Sequence, residues 1–353
     1  MYEGACFCYI FLKGRKSRKI IISLYNIVRM KNYILKSLKE YNVKVFKIIN
    51  DSDNKNFINQ HLDNIYVINL KDNVLRRNYM IILMKKYGIN FNLIVVDRLN
   101  EETYKNIKTI NENLSKEEIG CCLSHLWCLK NALKNKYEKI IIFEDDIIFH
   151  KNFLELFEKI IHKKSYDFLL LGRCDFHFNT LNLKYVKDDL YRPDPKSRML
   201  YGAHANYYSF EGAKIMFELK INQFSFFDSD YLTVFHYFEE TSWICYPNLV
   251  VTDLSTSNLN HSYYLLTNME KNYYMNCFDH FYFEDYNFIY LDILDKYKDI
   301  KISKEDNYES YMNKLIDCYF FTDMEREEIR NRIVKDFFTI KDIHTLYLCI
   351  NLN

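Results

Sequence analysis

The stretch Lys-Ile-Ile-Ile-Phe-Glu-Asp-Asp-Ile-Ile-Phe, residues 139–149, places three consecutive carboxylates between two apolar runs. The first run has the β-branched composition of a buried strand, and Glu144, Asp145 and Asp146 follow at its carboxyl end. Burial of a charge without a partner costs on the order of several kcal/mol per ion. The pattern therefore indicates either a turn that faces water or a site where a cation offsets the acids.

Strand and helix patterns alternate on the amino-terminal side of this stretch. Residues 65–70 and 91–96 have strand composition, residues 73–87 have helical spacing, and Ser115 and Glu118 form a capping box before a long helix. This alternation predicts an α/β fold with a mainly parallel central sheet and helices on both faces. Ligands of such sheets bind beyond the carboxyl ends of the strands, where the three acids are expected.

The sequence pattern divides the whole chain into three parts. Residues 1–60 are a poorly patterned N-terminal extension with a weak strand near residues 43–50, and Met30 is a candidate start. Residues 61–262 form the main domain, and residues 263–353 are predicted to be a mostly helical C-terminal region. Within the main domain we expect helices at 152–163, 211–219 and 231–238, strands at 167–171, 201–210 and 243–251, and a surface loop at 188–198.

Composition limits the partners and the compartment. Lys and Arg total 48 against 47 Asp and Glu, so no overall field favours nucleic acid or a membrane surface. Ten cysteines occur without a repeated C-x-x-C frame, which indicates buried thiols in a reducing compartment. No apolar stretch is long enough to span a bilayer, and no signal peptide or retention signal is seen. The expected location is the cytoplasm, or the host cytoplasm for a viral protein. The pattern does not indicate an oligomeric state.

Five short motifs carry a family resemblance. They are, in chain order, Asn69-Leu70, Arg76-Arg77, Glu118-Ile119-Gly120-Cys121, Ser124-His125 and Glu144-Asp145-Asp146. As a set, over roughly residues 61–262, they resemble glycosyltransferase family 25, which includes lipopolysaccharide-biosynthesis glycosyltransferases and procollagen galactosyltransferases. One departure is Asn73, which stands where the family commonly has an arginine. The resemblance implies a GT-A type fold in which an Asp-x-Asp-like motif holds a divalent ion against a nucleotide-sugar diphosphate.

The resemblance assigns the three acids to metal binding. Oxygen ligands suit Mn²⁺ or Mg²⁺, which neutralise the charge that develops on the departing diphosphate. Alternate residues of an extended segment point the same way, so we expect Glu144 and Asp146 to bind the ion and Asp145 to face the ribose or a backbone partner. His261 is expected to complete the metal shell.

Further motif residues are assigned to the UDP-sugar. Arg76 and Arg77 position or neutralise the diphosphate, with Asn69 on the same side, and Asp97 contacts the nucleoside. Ser124 and His125 line the nucleotide side of the crevice. Two of these residues also have a structural interpretation, because His125 could be a half-buried helix residue and Asp97 could end a strand in a turn. Gly120 permits either close ligand approach or close packing.

The general base is expected in the segment Phe226-Phe227-Asp228-Ser229-Asp230. A transferase that inverts the sugar carbon needs a carboxylate to accept the proton of the acceptor hydroxyl, and Asp228 or Asp230 has the right chemistry. The alternative is that one of the two caps the following helix.

The predicted function is metal-dependent transfer of galactose or glucose from a UDP-sugar to a hydroxyl of a glycan or of a hydroxylysine-type protein acceptor. Two alternatives stay open. One is metal-dependent phosphoryl or nucleotidyl transfer, although no dense basic track lies beside the acids. The other is a noncatalytic scaffold that retains the glycosyltransferase fold.

Overall fold

The computed structural model describes residues 30–50, 56–108, 113–150, 152–173, 189–193, 200–246 and 248–252. The predicted helical region 263–353 and the predicted metal ligand His261 lie outside the described residues.

The described residues form one large sheet, one small sheet and helices on both faces of the large sheet. The strands are β1 Val43–Ile48, β2 Asn64–Leu70, β3 Phe91–Val96, β4 Lys139–Phe143, β5 Ile147–Phe149, β6 Phe168–Leu170, β7 Leu190–Tyr191, β8 Ala205–Ser209, β9 Ser242–Cys245 and β10 Val250–Thr252. The helices are α1 (residues 30–40), α2 Phe57–His61, α3 Val74–Lys86, α4 Glu101–Lys108, α5 Lys116–Asn135, α6 Phe153–Ile161, α7 Phe210–Asn222 and α8 Tyr231–Tyr237, with a 3₁₀ turn at Phe227–Asp230.

The large sheet is mixed, so the prediction of a mainly parallel sheet is wrong. Its strand order is β1-β3-β2-β4-β8-β6-β9-β7. In the described part of the chain, β2 pairs in parallel with β3 and β4, and β6 with β9, whereas the other four pairings are antiparallel. The reason is that β8 inserts between β4 and β6 and runs against both, while β1 covers the outer edge of β3 in the opposite direction.

Predictions that depend on a few neighbouring residues are confirmed for β3 and for the start of α5. β3 has the predicted bounds. Ser115 and Glu118 form the capping box at the start of α5: the Ser115 side chain accepts from the Glu118 N–H, and Oε2 of Glu118 accepts from the Ser115 N–H at 2.7 Å. The expected strand at 243–251 is instead two strands in different sheets, β9 and β10, and the expected loop at 188–198 contains β7.

The central strand β4 shows how the core fixes the position of the acids. Ile140 and Ile142 pack with α1, α5, α7 and α8 on one face of the sheet, and Ile141 and Phe143 pack with α2, α3 and α6 on the other. All four side chains are at most 1% exposed, and full burial of each stabilises the fold by about 1.5–3 kcal/mol. A register slip would exchange the two faces, so β4 presents Glu144 at a fixed position.

Residues upstream of the expected domain boundary also join this core. β1 pairs with β3 over six residues, and Ile34 and Leu38 of α1 are buried beneath α5. Of the helices that the structure describes, none has both the length and the apolar character that a membrane crossing requires.

Candidate functional site

A cleft opens at the carboxyl ends of β2, β3 and β4. Leu70 and Val96 end the first two strands at its floor, and the three acids follow the third. Helix α5 forms one wall. The place agrees with the rule that ligands of such sheets bind beyond the carboxyl ends of the strands.

Asp145 is held at the base of the cleft by two neighbours. Its side chain accepts a hydrogen bond from Nδ2 of Asn69 at 2.7 Å and one from the guanidinium of Arg76 at 3.0 Å. Arg77 in turn donates to Oδ1 of Asn69 at 3.3 Å, which fixes the amide with its nitrogen toward the carboxylate. Burial raises the pKa of Asp145, although Arg76 and Asn69 oppose that rise. Asp145, Asn69 and Arg76 are each at most 8% exposed, so this network is part of the folded interior.

Asp146 has different partners on the opposite side of the turn. Thr252 donates from its hydroxyl to Oδ1 at 2.8 Å, and Arg76 lies 3.4 Å from Oδ2. The antiparallel register of β5 and β10 pairs Thr252 with Ile147 and so brings the hydroxyl beside Asp146. Burial raises the pKa of Asp146 to about 7, against the attraction of Arg76, and the nearby charges of Glu144 and Asp145 add to the rise.

Glu144 turns away from both aspartates toward helix α5. Its Oε1 lies 2.9 Å from Nε2 of His125 and accepts from the thiol of Cys121 at 3.4 Å. Burial alone would raise the pKa of Glu144, but the hydrogen bond and charge of His125 outweigh it and lower the pKa. The expectation that Glu144 and Asp146 share one face therefore differs from the structure, in which Asp145 and Asp146 share Arg76.

The donor set fits a hard divalent cation in its charge and ligand type. Glu144, Asp145 and Asp146 line one cleft, and the Arg76 guanidinium contacts Asp145 and Asp146. Burial raises the pKa of Asp145 and Asp146, and the neighbouring carboxylates add to the rise. Carboxylate oxygens at the end of a strand are ligands that Mg²⁺ and Mn²⁺ accept.

Ser124 and His125 lie on the wall that α5 presents to the cleft. Ser124 hydrogen-bonds to the hydroxyl of Tyr41 at 2.9 Å and donates to the carbonyl of Gly120 at 2.8 Å. His125 is fully buried and stacks on Phe227 with 4.2 Å between ring centroids. Its Nδ1 has no hydrogen-bond partner among the described residues. His125 is thus both a buried helix residue and a cleft residue, because its packed ring contacts the carboxylate of Glu144.

Asp97 lies at the rim, directly after β3. Its carboxylate pairs with Nζ of Lys71 at 3.0 Å and accepts from the side-chain amide of Asn42. The hydrogen bond from Lys71 lowers the pKa of Asp97, so this acid is ionised at neutral pH. It lines the same cleft as the three acids.

The two candidate bases have different environments. Asp230 forms a 2.6 Å ion pair with Lys220, whose side chain is fully buried. Asp228 accepts from the backbone N–H of Gly202 at 3.1 Å, and burial raises its pKa to about 6. Phe227, next to Asp228, is the ring that stacks on His125, so the 3₁₀ turn lies against the α5 wall. Asp228 is not among the residues that line the cleft itself.

Two contributors to the site were not singled out from the sequence. Cys121 belongs to a motif and its i, i+4 spacing places it on the same helix face as His125, but the sequence pattern assigned it no role in the site. Thr252 has no local signal, because it reaches Asp146 through strand pairing across 106 residues.

Comparison with known proteins gives a family match over the central part of the chain. Residues 62–219 match the family described as "Glycosyltransferase family 25 (LPS biosynthesis protein)". This range includes the three acids, Asn69, Arg76 and His125.

Individual relatives match shorter parts of the chain. "Procollagen lysyl hydroxylase and glycosyltransferase" of Acanthamoeba polyphaga mimivirus is 26% identical over 135 residues, which cover 31% of this chain and 15% of the relative. "Inactive glycosyltransferase 25 family member 3" of Homo sapiens is 27% identical over 129 residues, which cover 31% of this chain and 22% of the relative. The protein with that name in Mus musculus is 35% identical over 65 residues, covering 17% and 11%. The chain spans less than a quarter of the length of these relatives.

Proposed function

Because residues 62–219 belong to glycosyltransferase family 25, we propose that this chain transfers galactose or glucose from a UDP-sugar to an acceptor hydroxyl. The acceptor class is a glycan or a hydroxylysine-type protein side chain, and the proposed architecture is of GT-A type. The observation that carries the proposal is the group of three carboxylates with Arg76 in a cleft at the carboxyl ends of three strands. Family membership alone suggests the reaction class, whereas this geometry supports the place where it occurs.

We propose a Mn²⁺ or Mg²⁺ ion at Glu144 and Asp146, for which the Glu144 carboxylate would have to turn away from Nε2 of His125. When bound, the ion acts as a Lewis acid and neutralises charge on the departing diphosphate. Asp145 has a separate role, because both of its oxygens already accept hydrogen bonds from Asn69 and Arg76. His261 remains a proposed further ligand.

The cleft's own residues bind and orient the donor. Arg76 holds Asp145 and Asp146 in place and supplies positive charge beside the diphosphate. Arg77 orients Asn69 and donates to the backbone carbonyl of Lys71, which fixes the turn after β2 at the cleft floor. The nucleoside is assigned to the stretch between Asp97 at the rim and Ser124 on α5, since both line the cleft.

Asp228 is the proposed general base for an inverting transfer. Its pKa of about 6 suits a group that must be ionised near neutral pH and still accept a proton in the transition state. Asp230, the other candidate, is engaged by Lys220 and supports the turn that carries Asp228. Acceptor binding would have to bring the hydroxyl to Asp228 from the side of the 3₁₀ turn.

The proposed compartment is reducing, and no nucleic-acid partner is proposed. Among the described cysteines, Cys122, Cys128 and Cys245 are buried and Cys121 is partly buried, which agrees with the buried thiols expected from their spacing.

A noncatalytic scaffold is the second candidate, because the human and mouse relatives carry the word "inactive" in their names. The three acids are all present in this chain and oppose that interpretation.

Release of UDP from a panel of UDP-sugars, with and without Mn²⁺, tests the proposal. We expect metal-dependent turnover that Asp146→Asn lowers by at least about 100-fold, since a group that stabilises transition-state charge is removed. Asp72→Asn is the matched control, because its 64%-exposed side chain pairs with Arg98 outside the acid cluster. Full turnover by Asp146→Asn would refute the metal assignment. A folded protein that turns over none of the donors would establish the scaffold instead.

A further inference from the structure

A second, chemically different donor set lies on the α5 wall of the same cleft. Cys121, His125 and Glu144 each offer one ligand atom, and these three atoms all lie within 4.8 Å of one another. The proposed Mn²⁺ or Mg²⁺ assignment uses Glu144 but neither the thiol nor the imidazole. We propose that Cys121, His125 and Glu144 bind a thiolate-preferring divalent cation, with Zn²⁺ as the expected ion.

Helix geometry explains why the two α5 side chains meet. Cys121 and His125 are separated by four residues and therefore lie on the same face, one turn apart. His125 is fully buried and held by stacking on Phe227, so its Nε2 is directed at Glu144 without conformational freedom. Glu144 comes from the end of β4, whose register in the sheet fixes it against α5.

Two of the three distances between ligand atoms are close to those that a tetrahedral ion requires, and the third is at most 4.8 Å. Bonds of about 2.0–2.3 Å place pairs of ligand atoms roughly 3.3–3.8 Å apart. The Sγ of Cys121 lies 3.4 Å from Oε1 of Glu144, and Nε2 of His125 lies 2.9 Å from the same oxygen. Opening the second distance by a few tenths of an ångström would admit the ion. Three protein ligands leave the fourth position toward the cleft, so a water or a substrate oxygen could occupy it.

The ligand types decide which ion is preferred. A set of one sulfur, one nitrogen and one oxygen suits Zn²⁺ and Co²⁺, whereas Mg²⁺ and Mn²⁺ favour oxygen alone. Cys121 lines the cleft, so an ion can reach the thiol from solvent. Binding displaces the thiol proton, because the thiolate is the ligand. Because Glu144 belongs to both sets, Zn²⁺ at this site and Mn²⁺ or Mg²⁺ at Glu144 and Asp146 exclude each other. This competition rests on the proposed function, whereas the binding of Zn²⁺ does not.

Titration of the full chain with Co²⁺ in a reducing buffer without nucleotide tests the site. We expect one equivalent to produce a thiolate-to-cobalt charge-transfer band that Zn²⁺ bleaches. Cys121→Ala should abolish the band and weaken Zn²⁺ binding at least about tenfold. Cys122→Ala is the matched control, because this neighbouring thiol packs in the core and is fully buried.

Two further variants keep the result interpretable. Glu144→Gln should weaken Co²⁺ binding about 10- to 100-fold while leaving the thiol present, and Asp146→Asn should leave the band unchanged. Absence of the band in the unaltered chain would overturn the proposal, as would a band that Cys121→Ala and Glu144→Gln leave intact. These readouts do not depend on sugar transfer, so they separate failure of this site from failure of the proposed enzyme.

Discussion

Lys220 is predicted to be the residue on which the 3₁₀ turn bearing Asp228 depends. Its side chain is fully buried, and its ammonium forms a 2.6 Å ion pair with Asp230. The same nitrogen donates to the hydroxyls of Ser225 and Ser229 at 3.1 Å each and to the carbonyl of Phe226. Lys220→Met keeps most of the side-chain volume and removes all of these interactions.

The expected cost follows from what the substitution leaves behind. The Asp230 side chain is only 10% exposed, so without Lys220 it becomes a buried carboxylate without its cation. Breaking a buried pair from one side destabilises a protein by about 3–5 kcal/mol, a large part of the roughly 5–15 kcal/mol that typically separates folded from unfolded states. In the Lys220→Met/Asp230→Asn double variant no unpaired charge remains, so it should be more stable than Lys220→Met alone.

Urea unfolding of the four proteins in this double-mutant cycle measures the coupling. We expect a coupling free energy of about 2–3 kcal/mol between Lys220 and Asp230. Lys214→Met is the matched control on the same helix, because Lys214 is 45% exposed and forms an i, i+3 surface pair with Glu211. Its urea midpoint should equal that of the unaltered protein. Additive effects of the two single substitutions, or a Lys220→Met protein as stable as the Lys214→Met control, would refute the reasoning.

Two further substitutions test the base and the cleft wall. The pKa of Asp228 is raised to about 6 by burial, so kcat/KM should fall about tenfold per pH unit below that value, and Asp228→Asn should remove this acid limb together with most of the rate. The folded state then holds the Asp228 proton more tightly than the unfolded chain, so this residue makes stability decrease as pH rises from 3.8 to about 6, and unfolding curves of Asp228→Asn should lack that decrease. A Cβ at Gly120 would meet no atom within 4 Å, so Gly120→Ala should raise stability by up to about 1 kcal/mol through helix propensity. The new methyl group faces the cleft, so the KM for the donor should rise; an unchanged KM would show that the donor does not pack there.

The fold could be predicted as far as local patterns determine it. Strand composition and helical spacing located β2, α3, β3, α5 and β4, and the capping box gave the start of α5. Strand direction was predicted from alternation with helices, which holds for β2, β3 and β4. It fails at β8, because insertion of this strand between β4 and β6 depends on pairing energies between distant segments that no local pattern records.

The sequence predicted which residues lie near the cleft better than it predicted which side chains contact one another. The three acids, Arg76 and His125 line one cleft, and Asn69 lies behind it in contact with Asp145. The pairing of Lys220 with Asp230 could not be predicted, since a buried lysine looks like any other helix lysine in the sequence. Its burial depends on the 3₁₀ turn folding back against α7.

The divergence of the three acids has a single cause in the backbone. Alternation of side chains holds only for extended residues, and Asp145 and Asp146 form a turn between β4 and β5. At this turn the chain leaves the large sheet and enters the small one, because β5 pairs with β10. The acids therefore have different partners: Glu144 contacts α5, Asp145 contacts Asn69 of β2, and Asp146 contacts Thr252 of β10, while both aspartates share Arg76 of α3. One tight turn thus places the proposed oxygen ligands and the proposed sulfur, nitrogen and oxygen set beside one cleft, with Glu144 common to both proposals.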